Sequence, residues 1–165
     1  MFEIGELVVY GAHGVCCVSR MQEQTIGRKK QTYLVLTPIR ARATQYFVPI
    51  ANPAAMAKLL PLVSREELEA LLASEKIHTV SWIPDENRRK QAYRELMSCG
   101  DREKLMQAVF TLYRQKDLQK AAGRKLHLCD EGFLHDAEKL LAEEIESVLE
   151  LDSPGAIADL REKLA

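Results

Sequence analysis

Residues 32–39 read TYLVLTPI, and this short apolar run decides the fold of the N-terminal third of the chain. Three similar runs surround it: LVVY at 7–10, VCCVSRM at 15–21 and QYFVPI at 45–50. Apolar and polar residues alternate within them, which is typical of β-strands. About four or five short strands in so little chain can bury a face only by curling. We therefore predict a small SH3/Tudor-like antiparallel β-barrel over residues 1–52.

Glycines mark the connections between these strands. Gly11 and Gly14 bracket a tight turn. Ile26-Gly27-Arg28 has the composition of a hairpin tip, and the basic run Arg28-Lys29-Lys30 overlaps it.

The remaining residues, 53–165, carry the signals of helices. Ser64-Arg65-Glu66-Glu67 is a capping box that predicts a helix ending near Ala73. Further boundaries follow from proline, glycine and N-cap residues. They predict a helix over 84–98, one capped by Asp101, one from Asp130 to about Leu149 and a short one after Ser153-Pro154. The sequence thus predicts an α+β protein, with a C-terminal domain of four to five helices that begins near Asn52-Pro53.

The net charge of −1 conceals a strong division along the chain. Residues 1–63 carry seven Lys/Arg against three Asp/Glu, and residues 82–125 carry eleven against six. Residues 126–165 reverse the sign, with three against eleven. Because electrostatic fields act over about 8–10 Å at physiological salt, local basic surfaces can bind nucleic acid despite the neutral total.

The sequence contains no established enzyme motif. The phosphate-loop, dinucleotide-binding, G-x-S-x-G and H-E-x-x-H patterns are all missing. Neither the four cysteines nor the four histidines show the spacing of metal ligands. No run approaches the roughly 18 apolar residues of a membrane span. We therefore expect no catalysis, no cofactor, no metal and a cytoplasmic location.

Glutamates are concentrated on the fourth predicted helix. We expect a solvated polar face, without catalysis, from five of them: Glu138, Glu143, Glu144, Glu146 and Glu150.

Two segments carry a characteristic order of residues. The first consists of Phe2, Gly5-Glu6, Val8-Val9-Tyr10, Gly14-Val15, 33–36 and Val48-Pro49. The second consists of Trp82, Arg88-Arg89, Leu96, Ser98, Gly100-Asp101, Leu112-Tyr113, Asp130 and Glu143-Glu144. Together they resemble the CarD/CdnL family, which shares its N-terminal domain with the polymerase-interacting domain of the transcription-repair coupling factor. Glu6 stands where the family usually has Asp, and residues 83–87 lengthen the spacing between Trp82 and the paired arginines.

The resemblance implies that the barrel binds the β subunit of RNA polymerase, largely through a barrel edge laid against a polymerase strand. The implied contact residues lie on the hairpin and the adjacent strand: Gln24, Thr25, Ile26, Tyr46 and Phe47. Neighbours on a strand point to opposite faces, so either Tyr46 or Phe47 belongs to the core. The sequence leaves open which one.

The resemblance also implies that the helical domain contacts promoter DNA at the upstream edge of the melted region. Trp82 would be wedged at the minor groove there, and a buried inter-domain tryptophan is the alternative. Basic residues would contact phosphates without reading sequence, although a solvated basic face would also explain them. These residues are Arg88, Arg89, Lys90, Arg94, Lys120, Arg124 and Lys125.

Two functions follow from these observations. The first is a non-catalytic polymerase accessory factor that stabilises the promoter open complex and is nucleoid-associated through RNA polymerase. The second is a protein-interaction adaptor that does not bind DNA, with the acidic residues 126–165 as its docking surface. In both cases we expect a monomer that does not bind membranes.

Overall fold

The computed structural model describes residues 2–165 and divides the chain into two compact units. The first unit ends at Leu62 and contains the β-strands, and the second, Val63–Ala165, is helical. The predicted α+β class, with a barrel-like sheet domain followed by a helical domain, is confirmed.

The sheet domain is built from five antiparallel strands. They are β1 (Leu7–Tyr10), β2 (Val15–Ile26), β3 (Lys29–Pro38), β4 (Tyr46–Pro49) and β5 (Leu59–Pro61). Their order in the sheet is β4-β3-β2-β1-β5, so β4 and β5 are the edge strands. β2 and β3 form one long hairpin whose turn contains Gly27, at φ 66°. The sequence predicted this hairpin tip.

One face of the sheet forms a small apolar core. Its buried members are Val8, Cys16, Val18, Leu34, Leu36, Val48 and Leu59. Leu36 pairs with Val18, and Leu34 pairs with Met21. A bulge between Val18 and Arg20 allows both of these β2 residues to face the same side although they are three positions apart.

The sheet domain continues past the predicted boundary at residue 52. Asn52 caps a short helix, α1 (Pro53–Met56), by accepting hydrogen bonds from the backbone N–H groups of Ala54 and Ala55. β5 then pairs with β1. The division between the two units therefore falls after Leu62, because the chain after residue 52 returns to complete the sheet.

The second unit contains five helices. They are α2 (Arg65–Ala73), α3 (Glu86–Cys99), α4 (Arg102–Ala121), α5 (Leu128–Leu149) and α6 (Ser153–Leu164). The capping box at Ser64 and the N-cap at Asp101 form as the sequence predicts. α3 begins two residues after Pro84, with Asp85 as its N-cap, and α5 begins two residues before Asp130.

α5 is the central helix of this unit and contacts α2, α3, α4 and α6. Two of its glutamates bind cations on neighbouring helices. The Glu144 carboxylate lies 2.7 Å from Nε of Arg102 and accepts a hydrogen bond from the backbone N–H of Val63. The Glu138 carboxylate lies 2.9 Å from a terminal nitrogen of Arg161.

The expectation of a fully solvated glutamate face on α5 is wrong. Glu138, Glu143 and Glu144 are buried, whereas Glu146 is half-buried and Glu150 is exposed. Helical periodicity places these side chains away from the apolar stripe, but neighbouring helices cover that side of α5 and supply arginines.

Among residues 2–165, no helix combines the length and the apolar character needed to cross a bilayer.

His78 joins the segment after α2 to the end of α6. Its Nδ1 lies 2.8 Å from the carbonyl oxygen of Ser74, and its Nε2 lies 2.9 Å from that of Lys163. Both partners are acceptors, and only the protonated imidazolium donates from both nitrogens. The hydrogen bonds to Ser74 and Lys163 raise the pKa of His78, against the effects of burial and of the nearby Arg114 charge.

We expect the helical domain to lose stability as the pH rises through the raised pKa of His78. The contribution of the protonated ring is complete below the pKa of the unfolded chain and disappears above that of the folded state. His78→Gln should remove on the order of 0.5–1 kcal/mol of this pH dependence, measured by urea unfolding between pH 5 and 9. His135→Gln, at an exposed position of α5, is the control. An unchanged pH profile in His78→Gln would contradict this account.

Candidate functional site

The sheet domain has an open backbone edge at β4. β4 pairs with β3 on one side, where Leu34 faces Val48 and Val35 faces Phe47. Since β4 is the last strand in the sheet order, its other side has no strand partner among residues 2–165. An unpaired edge can accept an additional strand through main-chain hydrogen bonds.

Tyr46 and Phe47 point to opposite faces of β4, and the structure shows which one belongs to the core. The ring centroid of Tyr46 lies 5.6 Å from that of Tyr10 and 4.4 Å from that of His13, and Tyr46 packs on the apolar core. Phe47 remains 41% exposed. Only Phe47 of this pair is therefore available to a partner that approaches the outer face.

The hairpin residues divide between the faces in the same way. Val35, Gln31 and Lys29 lie on the same face of β3. Their partners on the neighbouring strands are Phe47, Gln24 and Ile26, respectively. Gln24, Ile26 and Phe47 therefore share the outer face, whereas Thr25 and Tyr46 lie on the other. Ile26 is 61% exposed at the tip.

Tyr33 also belongs to this outer face, although sequence reasoning did not include it among the contact residues. Its ring lies edge-on to that of Phe47, with centroids 6.3 Å apart. Its hydroxyl donates to the side chain of Gln31 at 3.1 Å. The alternation within TYLVLTPI carried this signal, because Tyr33 and Val35 must face away from Leu34 and Leu36.

The helical domain contains a buried arginine–carboxylate pair beside Trp82. Nε and a terminal nitrogen of Arg89 donate to the two oxygens of Asp130, at 2.9 and 3.0 Å. The other terminal nitrogen donates to the carbonyl oxygens of Ile83 and Pro84. The guanidinium carbon lies 4.3 Å from the centroid of the Trp82 ring. One cation thus fixes α5, the start of α3 and the indole.

Tyr93 completes this cluster. Its hydroxyl donates to Asp130 at 2.6 Å, and its ring stacks on Phe133 with centroids 4.0 Å apart. Burial, together with the Asp130 hydrogen bond, raises the pKa of Tyr93 far above its ordinary value, so the phenol remains a donor. The Asp130 hydrogen bond likewise raises the pKa of Arg89.

Arg89 was predicted to contact DNA phosphates, but its side chain is not available for this contact. Its side chain is 5% exposed, and its guanidinium is committed to Asp130 and to two backbone carbonyls. Its position on the apolar stripe of α3 was the available signal, because an arginine on such a stripe needs a buried acceptor. Asp130 lies on the apolar face of α5, one turn before the core residues Phe133 and Leu134.

The other predicted DNA-contacting cations are exposed. They are Arg88, Lys90, Arg94, Lys120, Arg124 and Lys125. Lys90 makes an ion pair with Glu86 on its own helix at 3.2 Å. For the remaining five, no ion pair is found within residues 2–165.

Several of these cations lie at one end of the helical domain. Arg124 and Lys125 are in the connection that leads into the first turn of α5. That turn meets the first turn of α3, where the Sγ of Cys129 lies 3.8 Å from the carboxylate of Glu86. Arg88 and Lys90 follow in α3, and Arg94 lies further along it. The structure thus brings the connection before α5 near the start of α3, so basic residues of both regions lie on this part of the helical domain.

The sheet domain thus has an unpaired β4 edge and, beside it, the exposed Phe47 with the ring of Tyr33 against it. Residues 2–60 match the family model described as CarD-like/TRCF RID domain, so the match covers the sheet domain and no part of α2–α6. Domains of this family interact with the RNA polymerase β subunit, which makes this a transcription-related protein. Residues 2–60 therefore form a CarD-like/TRCF RID domain.

Removing the charge of Asp130 should strongly destabilise the helical domain. Asp130→Asn keeps the shape of the side chain but leaves Arg89 buried without a counter-charge, which costs about 3–5 kcal/mol of unfolding free energy. Urea unfolding measures the loss, and the emission of Trp82, the single tryptophan, reports the local change. Asp136→Asn, on the exposed side of α5, should change stability by less than about 0.5 kcal/mol. Equal stability of the two variants would contradict the role of the pair.

Proposed function

We propose that this protein stabilises the promoter open complex by binding two components of the initiation machinery. The sheet domain holds the RNA polymerase β subunit through the edge of β4 and the outer face beside it. The helical domain contacts DNA at the upstream edge of the melted region without reading its sequence. Neither contact involves catalysis.

The observation that carries the DNA contact is the support of Trp82 by Arg89. The indole packs on the helical core and remains half-buried, with the guanidinium over its ring. Its N–H has no hydrogen-bond partner in the described part of the chain. An aromatic ring held rigidly and partly open to solvent suits insertion at a base step, where unstacking costs a few kcal/mol.

The exposed cations of the helical domain favour the same partner. Arg88, Arg94, Arg124 and Lys125 are exposed cations without an ion pair among residues 2–165. Cations of this kind can contact phosphates and release counterions, which gives binding that weakens steeply with salt.

The adaptor alternative has less support. It relied on the acidic segment 126–165 as a docking surface, but three of the eleven acidic residues there, Asp130, Glu138 and Glu144, are buried and bind arginines within the helical domain. Charges used in this way attract a partner weakly, because their fields are already compensated.

For the polymerase contact, Phe47→Ala should weaken binding of the full-length protein to the β subunit about tenfold. Truncating an exposed aromatic anchor at an interface costs on the order of 1–2 kcal/mol. Met21→Ala is the matched control, because Met21 is equally exposed but pairs with Leu34 on the opposite face. Equal affinities of the two variants, measured by fluorescence anisotropy, would place the contact elsewhere.

For the DNA contact, Trp82→Ala should shorten the half-life of promoter open complexes formed with the protein. A loss of about 1 kcal/mol corresponds to about fivefold. Binding to the β subunit should remain unchanged, and Trp82→Phe should retain part of the effect because it keeps an aromatic ring. Half-lives can be measured by competitor challenge. An adaptor that does not touch DNA would give the wild-type half-life with Trp82→Ala.

A further inference from the structure

A pocket of about 280 Å³ adjoins Trp82 within the helical domain. The segment 81–83, α3 and α4 line it. Besides the indole, its walls are mostly small or aliphatic side chains, among them Ala92, Leu96, Ala108 and Leu112. Its volume is close to the lower limit of about 300 Å³ for small-molecule sites, so it suits a single small group and not a folded peptide.

Polar side chains also line the pocket, and some of their groups have no partner within residues 2–165. The hydroxyl of Thr111 accepts from the backbone N–H of Ser81 and donates to the carbonyl of Gln107, so it is satisfied. The Gln107 amide donates once, to the carbonyl of Thr79. Its oxygen and second N–H have no partner within residues 2–165. The Gln107 side chain therefore offers one acceptor and one donor side by side.

The charge of the pocket favours an anionic ligand. Lys104 lines it with a side chain that is 70% exposed and meets Asp101 only at 4.0 Å. The second cation, Arg89, is neutralised by Asp130, and the lining contains no acidic side chain.

We propose that this pocket receives a single unpaired nucleobase of the melted promoter, with Lys104 on the adjoining phosphate. The proposal rests on the proposed function, because Trp82 wedged at the fork would expose such a base next to the pocket. Unstacked bases are held in proteins by aromatic and apolar walls together with a few hydrogen bonds to their edges. Trp82, the aliphatic walls and the Gln107 amide supply these elements.

The test uses the full-length protein and a fork DNA whose first unpaired base is 2-aminopurine. Wild-type protein should bind the fork at least about fivefold more tightly than the fully paired duplex at low salt, with a change in 2-aminopurine fluorescence. Ala108→Leu fills the pocket from α4 and should abolish this difference while leaving duplex affinity unchanged. Ala92→Leu fills it from α3, so a folding defect in one variant leaves the other informative. Ala158→Leu, exposed on α6, is the control.

A fork preference that survives in folded forms of both filled variants overturns the pocket proposal. The proposed function fails on a different result, namely a wild-type open-complex half-life with Trp82→Ala. Free adenosine monophosphate separates the two sources of a nucleobase. No competition with the fork at millimolar nucleotide supports a base of the DNA strand. Competition by free nucleotide at a concentration no higher than the protein concentration that half-saturates the fork overturns it in favour of a free nucleotide.

Discussion

The ion pair between Arg89 and Asp130 determines where Trp82 lies. Two charges removed from water must meet with close geometry, because an unpaired charge in the interior costs several kcal/mol. This requirement fixes α3 against α5, and the hydrogen bonds of Arg89 to the Ile83 and Pro84 carbonyls extend it to the segment before α3. With the guanidinium over the indole, the orientation of the only tryptophan follows from the same cation.

Three acidic residues of α5 each form an ion pair with an arginine of a neighbouring helix. Asp130, Glu138 and Glu144 bind arginines on α3, α6 and α4. Three of the eleven acidic residues in 126–165 thereby join helices. The cations of α3 and of the connection before α5 are left facing solvent.

The sequence predicted most of the fold because its signals were local. The hairpin at Gly27, the capping box at Ser64 and the N-cap at Asp101 depend on neighbouring residues only. β5 was missed, because three residues become a strand only by pairing with β1 across the domain.

The candidate site followed the same rule. The exposure of Arg88 and Arg94 could be predicted from the polar face of a single helix. The outward position of one residue of the Tyr46–Phe47 pair could likewise be predicted from the alternation of side chains along a strand. The burial of Arg89 required Asp130, 41 residues later, as its partner. The most direct test of the account places the photocrosslinker p-benzoylphenylalanine at position 88 in an initiation complex with RNA polymerase and promoter DNA. The account predicts crosslinks to DNA at the upstream edge of the melted region, whereas crosslinks to polymerase alone would contradict it.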